Sequence, residues 1–240
     1  MIIKTSYSPN RSKKERRKKD IKLIIIHYTG MQSGIESLKR LKNPKFKVSC
    51  HYFIDRKGKL LRIVEDNRIA WHAGKSRWKN FTNLNNNSLG IELVNKGHEH
   101  GYQKFPEVQI KTLVKLCIFL KKKYKIKNSN IIGHSDIAPL RKLDPGEKFP
   151  WKLLKTKQLG VGFEPKKISF KKKNITNIRA KFFKNLFKIG YRYFDLKKKG
   201  AKDHLVVKAF KRRFIQNSIN GKIDQKTLEI SNFLANKQKN

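Results

Sequence analysis

The chain has 240 residues, with 59 Lys and Arg against 17 Asp and Glu and a formal net charge of +42. Apolar residues make up 38% of it, enough to bury a core, which excludes wholesale disorder despite the charge. No stretch approaches the ~20 apolar residues of a membrane span, and two cysteines, Cys50 and Cys117, exclude a disulfide scaffold and a thiolate-rich metal site.

Residues 1–20 are polar and basic and read as a flexible, solvated tail. They contain no signal-peptide core, so a cytoplasmic location is expected. Leu23-Ile24-Ile25-Ile26 is a short apolar run of the kind found in a central strand. Cys50–Ile54 and Leu60–Val64 flank Asp55-Arg56-Lys57-Gly58 and predict a hairpin. Ser88–Val94 predicts a further strand. Pro106 and Glu107 suit the first turn of a helix, which Ile110, Leu113, Val114, Cys117, Leu120 and Tyr124 continue at helical spacing. Ile131-Ile132-Gly133 predicts a last short strand. Residues 21–154 therefore form an α/β domain with a mixed central β-sheet flanked by helices. Residues 155–170, with Gly160, Gly162 and Pro165, read as a linker. In residues 171–240, three apolar stripes predict a small three-helix unit. The first runs over Phe182, Phe183, Leu186 and Ile189 and is closed by Gly190; the third is capped by Asp224.

Two of the predicted strands end on a histidine, His27 and His134. If those strands are neighbours the imidazoles face each other, and Asp144 lies ten residues beyond His134 in a polar turn. Two imidazoles and a carboxylate with a fourth position open make a catalytic zinc site. Taken singly, each histidine is more simply a structural strand-end residue. Glu92 interrupts the apolar run Leu89–Val94. By itself it reads as a solvated edge residue; beside a zinc site it is the general base that takes a proton from the attacking water. Lys142, two residues before Asp144, is placed to stabilise a developing oxyanion. His51 and the two cysteines read as core or cleft-wall residues, the thiols unpaired.

His27-Tyr28-Thr29, Val48-Ser49-Cys50-His51-Tyr52, Trp71-His72-Ala73-Gly74, Asn87–Leu93 and the long run Gly133–Gly146 occur in that order. Together they closely resemble the zinc-dependent N-acetylmuramoyl-L-alanine amidases of the type 2 family, whose fold is shared with peptidoglycan recognition proteins. The resemblance covers residues 21–151. It implies one zinc ion per chain on His27, His134 and Asp144, Glu92 as catalytic acid/base, and Lys142 beside the scissile carbonyl. It further implies Trp71, His72 and Asn87 as substrate contacts, and peptidoglycan or muropeptides as the partner. Many phage members carry Cys where Asp144 stands, so the bacterial branch is the better match. Val207–Phe214 with Asn220-Gly221-Lys222-Ile223-Asp224 and Thr227 resembles a three-helix peptidoglycan-binding domain, although Lys211 replaces its usual Gln. All proposed catalytic groups precede Trp151, so this unit is expected to be dispensable for chemistry.

Two rivals remain at this level. One is a non-catalytic recognition protein on the same fold, against which the intact His27, His134, Asp144 and Glu92 argue. The other is a basic nucleic-acid-binding protein, which accounts for the charge and for none of the motifs. The excess charge is spread over both halves of the chain, with short runs at Arg16–Lys19 and Lys171–Lys173. A wall-binding unit points instead to the periplasm, and the oligomeric state is left open.

Overall fold

The computed structural model describes residues 3–164 and 176–237. The second half of the expected linker, the Lys171-Lys172-Lys173 run and the start of the helical unit lie outside the described residues.

A six-stranded mixed sheet runs in the order β1 (Lys4–Thr5), β4 (Leu60–Arg62), β3 (Tyr52–Ile54), β7 (Ser88–Leu93), β2 (Leu23–Tyr28), β8 (Ile131–Gly133). The strand β2 is interior and pairs in parallel with both β7 and β8. The hairpin β3–β4 closes as its turn residues predict. The Asp55 carboxylate accepts the backbone N–H groups of Lys57 and Lys59, and Gly58 takes a φ of +80°. A separate two-stranded ribbon, β5 (Arg77–Trp78) with β6 (Phe81–Thr82), lies outside the sheet.

Leu23–Ile26 is fully buried because the sheet is covered on both faces. Side chains alternate along a strand. Ile24 and Ile26 join the core under the long helix α2 (Glu107–Tyr124), with Ile110, Leu113, Leu116 and Leu120. Leu23 and Ile25 face the other way. There, α1 (Gly34–Lys42) covers only the β3–β4 end, through Leu41 against Phe53, Leu61 and Ile63. Two short helices, α3 (His134–Ile137) and α4 (Trp151–Thr156), follow β8.

The rest of that second face is covered by the three C-terminal helices, α5 (Ile178–Ile189), α6 (Asp203–Phe214) and α7 (Gln225–Asn236). Phe182, Phe183, Val206, Phe210, Leu228 and Leu234 share one core with Leu23, Ile25, Ile132 and Ile137. The helical unit is thus packed as a layer of the α/β/α stack. The physical reason is one of faces: a largely parallel sheet must bury both, and residues 21–154 supply one long helix. Local signals in this unit are as the sequence predicts. Gly190 follows α5 with a φ of +137°, and the Asp224 carboxylate accepts the backbone N–H of Thr227 at the start of α7.

A buried ion pair ties the layers together. Arg213 of α6 pairs with Asp136 of α3, and both side chains are 2% exposed or less. Asp136 also accepts the Tyr191 hydroxyl at 2.5 Å and the Gly133 backbone N–H at 2.8 Å. The Arg213 guanidinium lies over the Trp151 ring and donates to the Ile131 carbonyl.

Residues 3–20 are not a solvated tail. Ser8, Asn10 and Arg16 are buried. The Arg16 guanidinium donates to the carbonyls of Asp66, Asn85, Asn86 and Ser88, so its charge is buried with backbone acceptors around it. Composition flagged this segment as solvated because the acceptors come from positions 50 to 72 residues away. Part of the expected linker is packed as well, since Leu159 is buried against the α2 core. Cys50 and Cys117 are free and buried. Among the described residues no helix is long and apolar enough to cross a membrane.

Candidate active site

The second face of the sheet carries the site. Alternation puts Leu23, Ile25 and His27 of β2 on it, and their register partners on β7 are Ser88, Gly90 and Glu92. His27 and Glu92 are therefore neighbours at the carboxyl ends of two parallel strands, where the following loops open a crevice. β8 pairs with β2 as far as Gly133 opposite Ile26, so His134 emerges beside His27. Asp144 is brought back to them by its own backbone, whose carbonyl accepts the Ser135 N–H at 2.8 Å.

Three ligand-type atoms converge. His27 Nδ1 lies 3.0 Å from His134 Nδ1 and 2.9 Å from Asp144 Oδ2, and His134 Nδ1 lies 3.1 Å from the same oxygen. All three residues are buried. Metal–ligand bonds of ~2 Å separate the donors of a tetrahedral centre by ~3.3 Å, so this triangle is already close to zinc geometry. The Ala73 carbonyl accepts a hydrogen bond from His134 Nε2 at 3.1 Å, which leaves Nδ1 as the nitrogen facing the triangle.

The electrostatics agree. Burial, then the neighbouring His134, pulls His27 down to about 4, so its imidazole is neutral at pH 7. Burial alone would raise the Asp144 carboxyl, but the neighbouring His134 and His27 outweigh it and hold it well below the usual range. Glu92 is pushed up to about 8 by burial and then by the Asp144 charge, with Lys142 pulling the other way. Its Oε2 is buried with no hydrogen-bond partner among the described residues. An ionised Asp144 and a neutral His27 beside a carboxyl titrating near neutrality suit metal-assisted proton transfer.

These groups line one cleft of about 560 Å³ together with Lys142, Trp71 and His72. Lys142 is half-buried in its wall. His72 is more than a rim residue, because its Nδ1 lies 3.0 Å from His27 Nε2. His51 is fully buried behind it and accepts the Gly90 N–H. Asn87 is not brought to the cleft. Its amide donates to the Asp20 carbonyl at 3.1 Å, holding the start of β7 to the chain entering β2. The resemblance implied a substrate contact at Asn87, but at the end of the Leu84–Asn87 turn its amide is engaged with Asp20.

Several residues of the site escaped sequence reasoning. Tyr28 Oη lies 2.8 Å from His98 Nδ1, whose Nε2 lies 3.0 Å from Glu147. Arg212 of α6 approaches the same carboxylate at 3.7 Å, so the helical layer reaches the cleft rim. Asn85 and Arg16 support the floor from below. No spacing rule links these positions; only Tyr28, next to His27, offered a signal.

The comparisons with known proteins fit this geometry. The N-acetylmuramoyl-L-alanine amidase family profile matches residues 17–147. The chain is 32% identical over 235 residues to N-acetylmuramoyl-L-alanine amidase AmiD of Escherichia coli, covering 90% of this chain and 83% of AmiD. It is 35% identical over 150 residues to 1,6-anhydro-N-acetylmuramyl-L-alanine amidase AmpD of Haemophilus influenzae, covering 55% of this chain and 79% of that one. The structure of AmiD in complex with anhydro-N-acetylmuramic acid-L-Ala-D-gamma-Glu-L-Lys superposes with a TM-score of 0.81 at 29% identity, over 94% of this chain and 92% of the other. AmpDh3 of Pseudomonas aeruginosa with anhydromuramic pentapeptide gives a TM-score of 0.83 at 27% identity, over 91% and 92%. With its sheet, its His27–His134–Asp144 triangle and this match, the chain belongs to the type 2 N-acetylmuramoyl-L-alanine amidase family.

Proposed function

We propose that the protein hydrolyses the amide between the lactyl group of muramic acid and L-alanine in peptidoglycan fragments, with one zinc ion as its cofactor. The observation that carries this reading is the triangle of His27, His134 and Asp144 beside a buried, unpartnered Glu92 carboxyl oxygen in one cleft. The muropeptides bound to AmiD and AmpDh3 support the substrate class. His27, His134 and Asp144 would hold the zinc, which when bound would supply Lewis-acid polarisation of the scissile carbonyl and a lowered pKa for the attacking water.

Glu92 takes the proton of that water at its buried carboxylate. It then passes the proton to the leaving amine of L-alanine. Lys142 stabilises the charge that develops on the carbonyl oxygen. Trp71 offers an aromatic wall for the sugar or the stem peptide. The C-terminal helices add affinity for intact wall through the unit that resembles a peptidoglycan-binding domain.

The test is product analysis. Mass spectrometry of muropeptides incubated with the zinc-loaded protein should show loss of the stem peptide with a free L-alanine amine. Binding without cleavage would establish a recognition protein instead.

A further inference from the structure

We infer that the His72–Ala73 segment sets the tautomer of both histidines in the triangle, through a directed chain of hydrogen bonds that ends on a backbone carbonyl. This inference rests on the reading of His27 and His134 as metal ligands.

The direction of the chain follows from groups with no choice of role. The Leu84 carbonyl can only accept, so the Ser88 hydroxyl, 2.5 Å away, donates to it. Its proton thus committed, Ser88 Oγ faces His72 Nε2 at 3.2 Å as an acceptor. His72 therefore carries its proton on Nε2 and presents a lone pair at Nδ1. That lone pair lies 3.0 Å from His27 Nε2, which must be the donor. In a neutral imidazole the remaining nitrogen, His27 Nδ1, is then unprotonated; it faces His134 and the Asp144 carboxylate, which at 2.9 Å competes for the same proton, and His72 tips that choice towards Nε2. The next residue performs the same service for the second histidine: the Ala73 carbonyl accepts from His134 Nε2.

The segment is itself held. The backbone N–H groups of His72 and Ala73 both donate to Asn85 Oδ1, at 3.0 and 2.7 Å. The Arg141 guanidinium adds a second donor to the Ala73 carbonyl. Gly90 completes the fit: a Cβ there would fall against the His72 ring, closer than real Cβ atoms come. Ser88, Gly90 and Glu92 thus divide one strand face into an anchor for His72, a space for its ring, and the base. His72 is a positioning residue; the mobile choice it removes is the wrong tautomer of His27, which would aim an N–H at the metal.

The experiment uses the full chain with 15N-labelled histidines. Long-range 1H–15N NMR of the metal-free protein should show His27 protonated on Nε2 alone. Zinc affinity is measured by chelator competition for the wild type, His72→Leu and His72→Asn. Leucine removes the acceptor and should weaken zinc about 10–100-fold, with mixed tautomers at His27. Asparagine returns an acceptor near the position of Nδ1 and should recover much of that loss, which a merely structural role for the ring would not allow. His27 protonated on Nδ1 in the metal-free wild type, or His72→Leu within twofold of wild type, overturns the inference and leaves the zinc site standing. A wild type that takes up no zinc, yet shows the expected tautomer, overturns the metal reading instead.

Discussion

At the scale of single residues, the site separates metal binding from proton transfer. Asp144 contributes the one carboxylate oxygen of the triangle among the described residues, so Asp144→Ala should lose zinc and activity together; full zinc occupancy by elemental analysis would remove it from the ligand set. Glu92→Gln keeps the shape of the side chain but cannot accept a proton. It should retain zinc and lose about 10²–10⁴ in rate, and near-normal turnover would sink the assignment. Glu92 also leaves a mark on stability. Its folded value of about 8 lies above the ordinary 4.5. Between those values the folded metal-free protein keeps a proton that the unfolded chain has released, so stability falls as pH rises through the window. Metal-free Glu92→Gln lacks that loss and should gain on the metal-free wild type steadily from pH 5 to pH 8 in denaturant titrations. Parallel curves would mean a carboxyl with an ordinary pKa.

At the scale of elements, the decisive contact is between α3 and α6. The helix that begins with His134 carries Asp136, and Asp136 is neutralised from the C-terminal layer by Arg213. Arg213→Met removes the cation and leaves a buried carboxylate, which should cost about 3–5 kcal/mol in chemical denaturation. A loss below 1 kcal/mol would show that water or another donor reaches Asp136. A chain ending near residue 160 should do worse, because it also strips the apolar cover from Leu23, Ile25 and Ile132. It should fail to unfold cooperatively and fail to hold zinc, although every proposed catalytic group is still present. A well-folded, active fragment would show that the helical layer is removable after all.

At the scale of the whole molecule, charge is the dominant property. With a formal +42, the protein should be drawn to the carboxylates of peptidoglycan stems by long-range attraction. Salt screens that attraction over ~10 Å at 0.1 M and ~3 Å at 1 M. Groups inside the cleft are close and partly desolvated and respond much less. Raising salt should therefore weaken binding to sacculi and raise KM, while kcat on a small soluble muropeptide changes little. Wall binding indifferent to salt would place recognition in the cleft and not in the surface charge. Tight, salt-sensitive binding to DNA that wall fragments do not compete away would revive the nucleic-acid reading.

The linear sequence was sufficient for five of the six sheet strands, the long helix and the caps at Gly190 and Asp224, and it flagged His27, His134, Asp144 and Glu92 as candidates for one site. Each of these rests on a local signal: an apolar run, a 3.6-residue period, a turn residue, or a polar group at a strand end. Alternation alone left the surroundings of Glu92 open, and its register opposite His27 puts it in the cleft. Three things were decided only in three dimensions. Residues 3–20 are a wall of the protein, because the acceptors for Arg16 come from distant loops. The C-terminal helices are a structural layer, because an amphipathic stripe says that a face is buried but not against what. And His72 stands behind His27, because hydrogen-bond direction is a property of a whole chain of neighbours, set here by the Leu84 carbonyl twelve residues along the sequence.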